Sequence, residues 1–149
     1  MFLSKTITIQ PLLASHISQL DELYLPAQSP TLDFLSRVLN KPTGRSWCIV
    51  ESEQIIGVAW FSVVGTEAEI IDIRVSANHR RRGYGHRLLH DSVSVLSSYG
   101  IQTVFLEVRC TNTAAISLYE KRGFAVIARR EAYYEASAGR EDALVMRRQ

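Results

Sequence analysis

The run Arg80-Arg81-Arg82-Gly83-Tyr84-Gly85 stands between an apolar strand and a long amphipathic helix, and this junction narrows what the chain can become. Upstream, Glu69-Ile70-Ile71-Asp72-Ile73-Arg74-Val75 is rich in β-branched residues and reads as a strand. Downstream, Leu89, Val93, Leu96 and Gly100 recur at steps of three to four, which is helical spacing. Glycines at positions 83 and 85 let the chain turn without a Cβ and let a ligand approach the main chain. The first N–H groups of the new helix then point outward, and its dipole favours an anion there. Three arginines add positive charge at the same place. The junction reads as a phosphate cradle built from backbone; the plainer alternative is a glycine-bearing turn with a solvated basic face.

Missing residues narrow the type of phosphate. A dinucleotide fingerprint needs a third glycine where this chain has Leu88. A nucleoside-triphosphate loop needs Gly-Lys-Ser or Gly-Lys-Thr, and neither occurs. The pattern Arg-x-x-Gly-x-Gly, opening a helix directly after a strand, is similar to the acetyl-coenzyme A loop of the GNAT superfamily of N-acetyltransferases.

At 149 residues the chain is one domain with room for a sizeable core, expected to span residues 1–149. A net charge of +2 with no long basic stripe argues against direct nucleic-acid binding. No apolar run is long enough for a signal peptide or a membrane span, which leads to the expectation of a cytoplasmic protein. Cys48 and Cys110 lie in apolar strand-like segments and read as buried free thiols in a reducing compartment. His16, His79, His86 and His90 lack metal-ligand spacing, so no metal is expected.

Periodicity orders the remaining elements. A short strand over 6–12 is followed by an amphipathic helix over 16–25, with Ile17, Leu20, Leu23 and Tyr24 on one face. Leu32, Leu35, Val38 and Leu39 mark a second helix, and 46–51 and 55–64 are strands. Beyond the long helix come a strand over 103–109, a short helix over 112–122 closed by Gly123, and strands over 124–130 and 143–146. The order β-α-α-β-β-β-α-β-α-β-β predicts an α/β fold, a mixed sheet covered by helices on both faces. It also matches the GNAT fold along nearly the whole chain.

Glu107 lies among apolar residues in Val104-Phe105-Leu106-Glu107-Val108. Burying a carboxylate there is costly unless it is partnered, and burial raises its pKa toward the range useful to a general base. Pairing with Arg109 or Arg74 at the sheet surface is the structural alternative. Tyr119 follows Ile116 by three and Ala115 by four, on the buried face of its helix. A core tyrosine with a satisfied hydroxyl, and Asn112 as a simple N-cap, are the plain readings of that helix.

The resemblance becomes more specific here. Leu-Glu-Val-Arg, then Asn-x-x-Ala-x-x-Leu-Tyr-Glu, then Gly-Phe looks like the second half of the GNAT coenzyme site. Tyr133-Tyr134, a variable loop and Glu141-Asp142-Ala143-Leu144-Val145-Met146 resemble the last hairpin of the RimI branch, the bacterial ribosomal-protein-alanine N-acetyltransferases. These motifs cover about half the chain, from 70 to 146.

By that resemblance, Val75 and the backbone at Ile73 hold the pantetheine arm and thioester carbonyl of acetyl-coenzyme A. Arg80, Arg81, Arg82, Gly83, Tyr84, Gly85 and His86 bind the pyrophosphate, and Asn112 contacts the coenzyme. Glu107 is the implied general base and Tyr119 the general acid. Tyr133 and Tyr134, with the nearby Glu135, Glu141 and Asp142, are candidates to receive a protein N-terminus. One segment departs from the branch: its Pro-Trp pair is replaced by Leu25-Pro26-Ala27-Gln28-Ser29-Pro30, with no tryptophan. Acetylation of a small amine, an amino acid or a lysine side chain, or a non-catalytic acetyl-coenzyme A binding module, are the competing expectations.

Overall fold

A computed structural model describes residues 5–25, 29–136 and 139–149. Seven strands form one sheet in the order β1-β2-β3-β4-β5-β7-β6. They are β1 (Ile7–Pro11), β2 (Gly44–Glu51), β3 (Gln54–Val64), β4 (Glu67–Val75), β5 (Thr103–Arg109), β6 (Ala125–Ala136) and β7 (Gly139–Arg148). All neighbours are antiparallel except β4 and β5, which run parallel and are joined by the crossover helix α2 (Tyr84–Ser98). Helix α1 (Leu32–Asn40) precedes β2, and α3 (Thr113–Lys121) follows β5.

Alternation along each strand builds two cores, one on each face of the sheet. On one face Leu88, Leu89, Val93 and Leu96 of α2 pack on Phe61, Ile70, Leu106 and Met146, with Tyr119 of α3 beside them. On the other, Leu20, Leu35 and Tyr24 cover Cys48, Val58 and Trp60. Several of these side chains are fully sealed, Leu88 and Leu89 among them. Truncating either to alanine removes about 2–5 kcal/mol of stability, the usual cost of a core cavity.

Two expected elements differ from the structure. Residues 16–25 do not form an α-helix; a 3₁₀ helix spans Ala14–Gln19, and the chain then tightens through i+3 bonds from Leu20 to Ile17 and Leu23 to Leu20. The apolar spacing still delivers Leu20, Leu23 and Tyr24 to the core. At the end of this segment Arg74 Nη1 donates to the Leu23 carbonyl at 3.1 Å, and the Tyr24 hydroxyl donates to Asp72. The last hairpin is also longer than periodicity suggests. Its register shifts between Arg130 and Tyr134, where Ala132 has a φ of 49°, and pairing resumes at Tyr134 with Glu141. Asp142 holds the irregular segment: it accepts the Ala132 N–H at 2.8 Å and Arg129 Nε at 2.6 Å.

Cys48 is buried as expected, and burial pushes its thiol up to about 11. Cys110 is only half-buried, because it lies just past the end of β5 rather than inside it. Among the described residues, no helix is long and apolar enough to cross a membrane.

Candidate active site

The parallel pairing of β4 and β5 runs only from Glu67 opposite Thr103 to Ile70 opposite Leu106. Both strands continue, β4 to Val75 and β5 to Arg109, so beyond Ile70 they diverge. A break in the β3–β4 register between Trp60 and Phe61 accompanies the divergence and leaves Ile71 as the extra residue. The result is a slot through the sheet, a cleft of about 390 Å³ lined from both strands and from α3.

Backbone facing this slot follows from the β3–β4 ladder. Ser76 N–H donates to the Ile56 carbonyl at 2.7 Å. In that register Arg74 lies opposite Val58 and Asp72 opposite Trp60, so these pairs exchange hydrogen bonds across the two strands. Ile73 and Val75 are out of phase and turn their N–H and C=O groups away from β3, toward the slot. Arg80 Nε donates to the Val75 carbonyl at 3.2 Å, tying the arginine run to the end of the strand.

The cradle takes shape at the N-terminus of α2. Gly83 is its N-cap with φ of 79°, and no side chain caps this end. Arg81 also has a positive φ, 61°, and Arg80, Arg81 and Arg82 are exposed. Gly85 faces the slot: a Cβ built there lies 3.7 Å from Leu118 Cδ2 and 3.8 Å from Val75 Cγ2, both cleft residues. Tyr84 and His86 also make contacts within the fold. The Tyr84 hydroxyl donates to Glu51 Oε1 at 3.0 Å, anchoring the helix start to the end of β2. Burial works to raise the Glu51 carboxyl, but the Tyr84 bond, Lys5 and His79 outweigh it and hold it below the usual range. His86 accepts Arg122 Nε at 3.3 Å. Burial and the charges of Arg122 and Lys121 lower its pKa, so it is a neutral imidazole at pH 7.

Glu107 and Tyr119 reach the slot from opposite faces of the sheet. Val104, Leu106 and Val108 of β5 are buried toward α2, so Glu107 points to the other face. Its side chain is 22% exposed and its Oε1 lies 3.1 Å from Arg130 Nη2. The expected partners are engaged elsewhere: Arg109 with Glu141 at 3.2 Å, Arg74 with Asp72 at 3.6 Å. Glu107 is therefore paired and half-open rather than sealed. Tyr119 is buried on the α2 side, edge-on to Phe124 at 5.7 Å. Burial, then the charges of Asp72 and Tyr134, raise its phenol above the ordinary value of 10.0. Asn112 both caps α3, accepting the Ala115 N–H at 3.2 Å, and lines the cleft.

From the last hairpin, Tyr134 lines the slot under the Arg109 guanidinium at 4.5 Å, while Tyr133 is 45% exposed beside it. Residues 26–28 of the altered segment lie outside the described residues, but Ser29 and Pro30 line the cleft. The hairpin carboxylates are committed internally. Glu141 takes Arg109 and the Thr111 hydroxyl, and Asp142 takes Arg129 and the Ala132 N–H. Asp142 thus holds the irregular part of the hairpin, and Glu141 ties the hairpin to the end of β5. A larger groove of about 970 Å³ between β2 and α2 has only Arg45 and Asp91 as charged lining residues and brings no acid–base pair together.

The model of the acetyltransferase (GNAT) family matches residues 12–124. The chain belongs to that family. It is 38% identical over 98 residues to the [ribosomal protein bS18]-alanine N-acetyltransferase of Escherichia coli, a match spanning 66% of this chain and 66% of that relative. The crystal structure of the ribosomal-protein-S18-alanine N-acetyltransferase from Escherichia coli superposes with a TM-score of 0.89 at 28% identity, covering 96% of this chain and 93% of that one. Arabidopsis thaliana NAA60, solved in complex with acetyl-CoA, shares the fold with a TM-score of 0.79 at 22% identity, over 95% and 97% of the two chains. The seven-stranded sheet with helices on both faces is thus the GNAT fold. Sequence reasoning missed Arg130, Tyr24 and Asp72, whose partners lie in strands and turns that only the fold brings together.

Proposed function

We propose that this chain transfers the acetyl group of acetyl-coenzyme A to the α-amine of a protein N-terminus, with the alanine terminus of ribosomal protein bS18 as the natural acceptor. The observation that carries the reading is the slot itself: a base and an acid, Glu107 and Tyr119, meet one opening from opposite faces of the sheet. The cradle at α2 suits the pyrophosphate of the coenzyme, and the outward main chain of Ile73 and Val75 suits its extended arm.

An α-amine has a pKa near 7.7–8.0 and is mostly protonated at neutral pH, so it must lose a proton before it attacks a thioester. Glu107, directly or through a water, accepts that proton. The Val75 N–H faces the place where the carbonyl oxygen gains charge, and one such donor is worth roughly 3 kcal/mol. Tyr119 stays a neutral phenol because burial raises its pKa, and it supplies the proton that the departing thiolate needs. Asn112 and residues 80–86 bind the coenzyme, and Tyr134 with Tyr133 forms the aromatic side of the acceptor opening.

A lysine side chain is a poorer acceptor by over two pKa units, or roughly 3 kcal/mol of deprotonation. Steady-state coenzyme A release with an Ala-Arg-initiated peptide, a lysine side chain and small amines tests the reading. The peptide is expected to give the highest kcat/KM. Equal or better rates on the other amines would remove the N-terminal assignment.

A further inference from the structure

One half-buried carboxylate at the slot has no part in the chemistry above. The register break in β4 puts Ile71 and Asp72 in succession on the face that carries Tyr24 and Trp60. Glu107 faces the same side from β5, so two carboxylates flank the slot on its acceptor face. The side chain of Asp72 is 14% exposed, and its Oδ2 accepts the Tyr24 hydroxyl at 2.6 Å. The direction of that bond is determined. Trp60 Nε1, which can only donate, gives its proton to the Tyr24 oxygen at 2.8 Å. The single hydroxyl proton of Tyr24 therefore goes to Asp72. Arg74 lies 3.6 Å from Oδ1 and stacks 4.3 Å from the Tyr24 ring.

We propose that Asp72 is an acceptor-binding residue that receives the α-ammonium of the incoming N-terminus, its carboxylate held in place by Tyr24 and Arg74. This rests on the N-terminal reading given above. A carboxylate has about four acceptor positions, and Tyr24 and Arg74 occupy two of them. An amine arrives protonated, and a cation leaving water for a narrow slot needs an anion that is already desolvated and oriented. Glu107 is closely countered by Arg130 at 3.1 Å; the Asp72–Arg74 contact is longer, at 3.6 Å. The two carboxylates divide the work: Asp72 holds the cation and Glu107 removes its proton.

Asp72→Asn keeps an oxygen for the Tyr24 bond and removes the charge. It is expected to raise KM for an Ala-Arg peptide about tenfold or more, with KM for acetyl-coenzyme A unchanged and kcat falling far less. Tyr24→Phe, which leaves the charge but frees it, gives a smaller rise in the same constant. Calorimetry then isolates charge recognition. The wild-type chain binds the free-amine peptide more tightly than its N-acetylated counterpart, and Asp72→Asn loses that preference. An intact preference, or both KM values rising together, overturns the assignment while the peptide reading stands. A wild-type chain that acetylates no peptide N-terminus overturns the peptide reading and this assignment with it.

Discussion

Arg130 reaches across β7 from the second strand away and places its guanidinium 3.1 Å from the Glu107 carboxylate. Glu107 lines the slot, while Arg130 lies beside it in an adjoining cleft, with Glu69 and Tyr134 close enough to feel the carboxylate. Burial and then the Glu107 charge raise the pKa of both neighbours. Because Arg130 is more than half exposed, the contact orients Glu107 more than it stabilises the fold. Arg130→Met is expected to change stability by less than about 1 kcal/mol. It should still lower kcat while leaving acetyl-coenzyme A affinity intact. Thermal melts and single-turnover rates on one preparation check both halves.

Glu107→Gln should reduce turnover about 10²–10⁴-fold near neutral pH, the usual contribution of a general base. The deficit shrinks above about pH 8, where the α-amine is deprotonated without help. A pH–rate profile of the variant against wild type reads this directly. A loss that is uniform across pH would assign Glu107 to structure.

Tyr119→Phe removes only the hydroxyl proton that the proposed mechanism delivers to the thiolate. Turnover is expected to fall while the acetyl-coenzyme A dissociation constant holds. The same tyrosine shapes alkaline stability. Burial raises Tyr119, and likewise Tyr24, above the ordinary 10.0, so the folded chain keeps protons that the unfolded chain releases. Stability from these groups is fully present below about pH 10 and is lost as pH rises toward their folded values. Denaturant midpoints measured from pH 9 to 11 should fall less steeply in Tyr119→Phe than in wild type.

At the cradle, Gly85→Ala fits, since the added carbon meets Leu118 and Val75 at 3.7 and 3.8 Å. Gly85→Val adds two methyls that press toward the cleft between those residues. Calorimetry should show acetyl-coenzyme A binding weakened about tenfold or more in the valine variant, with a far smaller change in melting temperature. A folded Gly85→Val variant with unchanged affinity would remove the cradle from the coenzyme site.

Local signals encode much of this arrangement. The strand–glycine–helix junction at residues 80–85 depends on turn chemistry and one helix start, both encoded within a few residues, and the structure puts it where the spacing does. Glu107 and Tyr119 were legible as types at positions, but their meeting at one slot depends on where β4 and β5 stop pairing. That divergence is a property of the sheet. Arg130 as the Glu107 partner was illegible because β7 inserts between β5 and β6, against chain order. The Tyr24–Trp60–Asp72 chain spans residues 36 and 48 positions apart and has no local signature. The internal partners of Glu141 and Asp142 were illegible because the register break that Asp142 spans is a property of the fold.

The most direct test offers both kinds of amine in one molecule. A peptide beginning Ala-Arg and carrying an internal lysine is incubated with the chain and acetyl-coenzyme A, and fragment mass spectrometry locates the acetyl group. Acetyl on the N-terminal alanine and an unmodified lysine are expected. Acetyl on the lysine, or none while a small amine is readily modified, would contradict the N-terminal assignment.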